Sequence, residues 1–417
     1  MEEQITTLTE SVAALEASAV GMGPWLLTAT ALVLFMTIPG LALFYGGLVR
    51  AKNYLSVLMQ CMAITGVVTI TWMVAGYALS STDGNALFGT DFSQLLFWAT
   101  PQADLAGAAF GLTFAVITPA LILGAYAERV KFSFVLAFSV LWSLLVYCPL
   151  AYWVWMTPDG SPLTLITNGL HPIDYAGGLV VHQAAGVAAL VLAILLGKRS
   201  GFPGAMQPPA QPGMVMIGAS MLWVGWYGFN SGLAGDMTEG GYIIFNTQVC
   251  TATAVIAWVA FETIRGGKPT LVGAATGAVA GLVAITPSCA TVSVPGALIL
   301  GVVAGVVPQL VIPLVKSTFK IDDALDVFAV HGIAGISGTL LLPFLALIGT
   351  NGTPADDTGA QFIAQLWSVV ASGVYVVIAT LIIAFVVRAI FGMRAEDEAV
   401  ADGLDLSSHG ERAYDLS

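Results

Sequence analysis

Apolar residues fall in eleven runs along the chain, at 25–48, 56–80, 106–126, 132–155, 175–196, 214–233, 242–264, 271–287, 294–315, 327–348 and 360–387. About 20 apolar residues cross the hydrocarbon core of a bilayer as a helix, so the pattern predicts eleven transmembrane helices, the eighth short and Gly-rich. At 57% hydrophobic and 9% charged, with a mean hydropathy of +0.88, the chain has more apolar surface than a soluble domain of 417 residues could bury. The expected fold class is an all-α polytopic membrane protein.

Charge placement tests the count independently. Lys and Arg occur at Arg50, Lys52, Arg129, Lys131, Lys198, Arg199, Arg265, Lys268, Lys316, Lys320, Arg388, Arg394 and Arg412. With eleven spans, every one of them falls on the same side; a miscounted helix would scatter them. Cytoplasmic loops carry the Lys/Arg excess, so that side is assigned to the cytoplasm of a cell membrane. The expected division is an extracytoplasmic segment 1–24, a transmembrane domain 25–391 and a cytoplasmic tail 392–417. Residues 1–20 hold four Glu and no base, so they lack the positive start of a secretory signal. A net charge of −12 argues against nucleic-acid binding. Cys61, Cys148, Cys250 and Cys289 lie singly in or near spans and read as small buried hydrophobes, with no metal or cofactor implied.

The connector 197–213 contains Gly-Phe-Pro-Gly and Pro-Pro-Ala-Gln-Pro and separates five helices from five, with an eleventh left over. An odd number of helices per half forces the second half to start from the opposite face, which predicts two inverted five-helix repeats plus a C-terminal helix. Each half carries one histidine in an apolar run. Asp174 precedes His182 by eight residues and Gly186 follows it by four; Asp323 and Gly335 flank His331 in the same way. Ionisable side chains at membrane depth are costly and mark pathways; the bland alternative is a structural hydrogen bond within the bundle. Eight residues of helix cover ~12 Å, which from opposite faces of a ~30 Å core brings both histidines near the midplane. The glycines would let the two backbones approach closely. His171 and His409 read as solvated.

Aromatic residues gather near the same spans. Phe110 and Phe114 lie four apart and share a helix face; Trp153 and Trp155 end the fourth run, and Trp223, Trp226, Tyr227 and Phe229 end the sixth. Trp and Tyr at helix ends usually form an interfacial belt. The alternative is a cation site, because a ring face attracts an ammonium-like cation by ~0.5–2 kcal/mol.

At this point the chain resembles a known family. Asp174-Tyr-Ala-Gly-Gly-Leu-Val-Val-His182, Pro39-Gly-Leu-Ala-Leu-Phe-Tyr-Gly-Gly47, Gly124-Ala-Tyr-Ala-Glu-Arg129 and Asp322-Asp-Ala-Leu-Asp-Val-Phe-Ala-Val-His331-Gly are similar to motifs of the Amt/Mep/Rh ammonium transporters, in the Amt branch. Gly403-Leu-Asp405, His409-Gly-Glu411 and Ala413-Tyr414 match the family's tail. The resemblance implies an ammonium transporter, not an enzyme, in which His182 and His331 line the pore and Phe114 and Phe229 form a gate, with Phe110 a turn before. It implies that Trp155 binds substrate at the outer vestibule, that Asp174 shapes that site without lining it, and that Tyr45 and Trp226 are pore-wall aromatics. It also implies a homotrimer and a PII signalling protein as partner at the cytoplasmic face. One departure is plain: where many members have Ser four residues after the second gate Phe, this chain has Leu233, and its Ser231 lies two residues closer to the gate. The rival readings are an ammonium sensor of the same fold, a membrane redox protein with a bis-histidine haem, and a gas or water channel.

Overall fold

The bilayer core holds no water to satisfy backbone N–H and C=O groups, so spanning segments close their hydrogen bonds internally, as helices or closed barrels. This chain takes the first solution. The computed structural model describes residues 23–414, and among them there is no β-strand, only isolated bridges at Gly84–Gly89 and Val130–Arg394. The expected segment 1–24 lies almost wholly outside the described residues.

The long helices are α1 (Gly23–Leu48), α2 (Ala51–Ser81), α3 (Gln102–Tyr126), α4 (Phe132–Met156), α5 (Gly178–Leu196), α6 (Pro212–Ser231), α7 (Met237–Ile264), α8 (Leu271–Ile285), α9 (Val294–Thr318), α10 (Phe328–Leu345) and α11 (Thr358–Phe391). Nine of them, among the described residues, are long and apolar enough to cross a membrane, so the chain is a multi-pass membrane protein. The other two are α8, which has only 15 residues, and α6, whose 20 residues are rich in Gly, Ser and indole side chains. Both pack into the bundle through buried faces.

Helix α11 shows how a membrane bundle inverts the soluble pattern. Val370, Val374, Ile378, Ile382 and Phe385 are exposed, whereas Gln361, Gln365, Ser368, Ser372 and Thr380 are buried against neighbouring helices. Lipid tails are as apolar as these side chains, so association rests on close packing and interhelical hydrogen bonds. The Gln365 amide accepts from the Ile173 N–H and donates to the carbonyls of Ile173 and Thr339.

The histidines do not stand eight helical residues into their helices. The helices do not begin at the aspartates. They begin at Gly178 and Phe328, so His182 and His331 stand in the first turn or so of α5 and α10. Both helices open with a π-helical turn, Gly178–Gln183 and Phe328–Ile333. The first three residues after each aspartate, 175–177 and 324–326, are non-helical chain, possible at membrane depth only where it is buried in protein or lines a cavity. Each aspartate instead caps the helix start. Asp174 accepts the N–H groups of Gly177, Gly178, Leu179 and Val180 at 2.5–3.2 Å, and Asp323 accepts that of Phe328 at 2.8 Å.

The face with the Lys and Arg side chains, termed here the basic face, holds a buried ion cluster. Glu128 pairs with Arg50 and Arg199, both at 3.0 Å, and Arg199 continues to Asp322 at 2.8 Å. Burial pushes the Glu128 carboxyl up, but Arg199 and Arg50 outweigh it and hold the group below its ordinary range. Glu128 has φ +72°, a left-handed conformation costly for a residue with a Cβ.

The tail also docks on the basic face, through helices α12 (Asp397–Asp402) and α13 (Leu404–His409). Among the described residues no tail carboxylate pairs with a basic side chain of the helix-connecting loops. The Asp405 carboxylate instead accepts the N–H groups of Leu55 and Ser56 at the start of α2, at 3.0 and 2.7 Å. Asn53 would ordinarily cap that helix, but its amide is engaged with Glu128 and the Leu404 N–H. Lys52 reaches a tail carbonyl, that of Ala401, and the Ala395 N–H donates to the Arg129 carbonyl at 2.9 Å.

Candidate functional site

The two histidines meet. His331 Nδ1 lies 3.3 Å from His182 Nδ1, the ring centroids are 5.4 Å apart, and both side chains are buried. The approach depends on two glycines. A Cβ on Gly186 would collide with the backbone of Gly332, and one on Gly335 would stand 2.9 Å from the Gly178 carbonyl and 3.1 Å from His182 Cβ. Each neutral imidazole has one donor and one acceptor, so the pair shares one hydrogen bond through Nδ1 and leaves both Nε2 atoms free of it. His182 Nε2 is buried and has no hydrogen-bond partner.

Cavities lie on either side of the pair. The one away from the basic face, on the side termed here the acidic face, holds about 400 Å³ and is lined by Phe110, Phe114, Trp155, Tyr175, Phe229 and Leu233, among others. Its floor is aromatic. Phe114 and Phe229 stack with centroids 4.1 Å apart and planes 14° from parallel, and Phe110 leans on Phe114 at 5.0 Å. Trp155 stands edge-on to Phe114 at 5.8 Å, its indole N–H donating to the Asp174 carbonyl at 2.9 Å. Beneath the floor, Phe229 is 5.9 Å from the His182 ring. The basic-face cavity, about 440 Å³, reaches His331 and is also lined by Tyr45, Val330, Phe202 and Met206.

The residues singled out in the sequence thus come together: they line one of the two cavities or pack between and behind them. Asp174 does not line the cavity; it is buried, its carboxyl pushed up by burial against the opposing pull of four backbone bonds. Tyr45 donates its hydroxyl proton to the Leu121 carbonyl at 3.0 Å. Trp226 lies flat on His182, with centroids 5.2 Å apart and planes 16° from parallel. The aromatic stretch that ends α6 divides: Trp226 and Phe229 face the histidines, whereas Trp223 and Tyr227 bond to Gln248. Ser231 does not replace the missing hydroxyl. It is fully buried, donates to the Tyr227 carbonyl at 2.5 Å and is absent from the cavity wall, where Leu233 stands instead.

Sequence reasoning missed several residues of the path. Trp72, Tyr147 and Asn230 line the acidic-face cavity, and Phe202 and Met206 bring the 197–213 connector under His331. Trp72, Tyr147, Phe202 and Met206 join the site through contacts between distant segments that no spacing rule displays, whereas Asn230 directly follows Phe229.

An all-helical membrane protein with aromatic and histidine residues in file between two opposed cavities has the form of a channel-like transporter. Residues 24–414 match the Ammonium Transporter Family. The chain is 41% identical over 411 residues to an ammonium transporter of Aquifex aeolicus, covering 95% of this chain and 94% of the relative. It is 42% identical to an ammonium transporter of Mycobacterium tuberculosis, covering 94% of this chain and 90% of the relative. The crystal structure of Saccharomyces cerevisiae Mep2 superposes with a TM-score of 0.80 at 32% identity, over 91% of this chain and 88% of that one. The chain belongs to the ammonium transporter family. It is an ammonium transporter and not an enzyme.

Proposed function

We propose that the protein gathers ammonium on the aromatic surface around Trp155, removes a proton there, and conducts ammonia past Phe114 and Phe229 and along His182 and His331. The observation that carries this reading is the buried contact between the two imidazoles, set between two cavities. An intact cation meets an effective cost of several kcal/mol on leaving water for such a path. Neutral ammonia loses only hydrogen bonds, and the imidazoles restore some of them. Potassium has no proton to lose and is left behind. Leu233 offers no hydroxyl at the cavity wall, so recruitment here leans on ring faces.

The same contact disfavours a bis-histidine haem. Two nitrogens at hydrogen-bonding distance leave no room for an iron and its macrocycle between them. The distribution of Lys and Arg supports a cytoplasmic basic face, and the membrane proposed is the cell membrane. Each chain holds its own histidine pair, so the homotrimer proposed by resemblance has three separate paths. The docked tail is the proposed regulatory element, and a PII signalling protein is the proposed blocker of the cytoplasmic face.

Uptake by proteoliposomes tests the reading. Ammonium or methylammonium should enter at a saturable, protein-dependent rate while potassium, carbon dioxide and water permeate as in empty vesicles. Equal acceleration of potassium or water would mean an open pore, and a sensor without transport would show no uptake.

A further inference from the structure

The indole of Trp226 does more than fill space. Its ring covers one face of His182 and packs at 5.3 Å against Phe229, so its tilt decides how the imidazole lies below the aromatic floor. The His182 ring plane is otherwise weakly fixed. A terminal torsion between sp³ and sp² atoms is broad, and the ring has only the Nδ1 contact with His331 to hold it, Nε2 having no partner.

What holds the indole is a single bond. Trp226 Nε1–H donates to Thr286 Oγ1 at 2.8 Å, across 60 positions of sequence. Thr286 is fully buried where α8 ends. Its own proton has two acceptors in reach, the Leu282 carbonyl at 2.8 Å and Asn230 Oδ1 at 3.2 Å. The Asn230 amide then donates to Thr247 Oγ1 on α7 at 2.9 Å. Helices α6, α7 and α8 are thus tied together behind one ring of the path. An indole N–H can only donate, and a buried donor without an acceptor is costly, so the ring angle that keeps this bond is strongly preferred.

We infer that Thr286 is a positioning residue for conduction: by accepting the Trp226 N–H it keeps the indole flat on His182 and thereby aims His182 Nε2 into the path. This rests on the pore reading above. Thr286 neither lines the acidic-face cavity nor touches the histidines; its accepting oxygen acts on the path through Trp226, and its one other link to the cavity, the bond to Asn230, is separated from that route by the double variant below.

The test is a double-mutant cycle in proteoliposomes, with rates expressed per reconstituted protein. Thr286→Val removes the acceptor, Thr286→Ser keeps it, and Trp226→Phe keeps a ring while removing the N–H. The expected result is a fall of about tenfold in maximal methylammonium uptake for Thr286→Val. Half-saturation should move less than about twofold, since recruitment occurs above the floor. Thr286→Ser should transport like the parent. The decisive arm is the double variant, which should be no slower than Trp226→Phe alone, because the acceptor then has nothing to hold. Full rate in Thr286→Val, equal loss in Thr286→Ser, or multiplied losses in the double variant would each overturn the inference while leaving the pore reading in place. Parent-like transport in His182→Ala would remove that reading, and this one with it.

Discussion

His182 and His331 touch through Nδ1 at 3.3 Å, from helices that start on opposite faces, and this contact couples their protonation. In the neutral pair only one Nδ1 carries the shared proton. The donor ring then has a bare Nε2 and the acceptor ring an Nε2–H. The path thus presents one acceptor and one donor to a molecule that has both, and exchanging tautomers reverses the polarity of the whole file.

Recruitment should depend on the aromatic wall. With Leu233 where a hydroxyl could stand, Trp155→Leu is expected to raise the half-saturating ammonium concentration by about 2- to 30-fold, the equivalent of ~0.5–2 kcal/mol. Leu233→Ser is expected to lower it by about two- to tenfold. Concentration curves of uptake read both. An unchanged curve for Trp155→Leu removes the aromatic site.

Asp323 should give the fold a distinctive pH dependence. Burial, then the nearby Asp326, pushes its carboxyl from 3.8 up to about 6, against the pull of the Phe328 N–H and Lys316. A folded value above the unfolded one contributes stability that is complete below about pH 4 and lost as pH rises through 6. Asp323→Asn keeps a capping oxygen and cannot ionise. Its stability relative to the parent should therefore grow between pH 4 and pH 6 and then level off, at roughly 3 kcal/mol at most. Thermal unfolding in detergent across that range measures it, and parallel curves for the two proteins would count against the buried, ionisable Asp323.

The tail acts, in this account, as a cap on α2. Removing residues after Gly392, or making Asp405→Ala, should lower transport without dissociating the trimer, the lost cap costing about 1 kcal/mol. Asp405→Asn should behave nearly as the parent. PII should block the intact protein and fail on the truncated one. Unchanged uptake in the truncation would reduce the tail to a bystander.

Separate paths in each subunit predict a linear dose response. Trimers mixed from active and His182→Ala chains should lose uptake in proportion to the inactive fraction. A steep loss from one dead chain would indicate coupling or a shared central pore.

Much of this site was legible in the sequence because it is written twice. The repeated Asp, His and Gly spacing placed His182 beside His331 and put a glycine at each close approach, and the helix-face rule joined Phe110 to Phe114. The helix starts were not legible: the apolar run already begins at 175, and only the four N–H groups gathered on Asp174 reveal that the chain over 175–177 is not helical. The docking of the tail was not legible either, because Asp405 is held by backbone N–H groups that no sequence pattern displays. Thr286 was invisible for a related reason. One threonine in an apolar segment looks like any other until the fold brings Trp226 to it.

The most direct measurement is uptake of methylammonium and ammonium-driven current in proteoliposomes containing His182→Ala or His331→Ala, with potassium permeability recorded alongside. The account predicts that each single variant, still folded and trimeric, loses selective ammonium transport, because an alanine leaves an apolar gap where the imidazole partner stood. Retention of both the parental rate and the preference for ammonium over potassium in the two variants would contradict it.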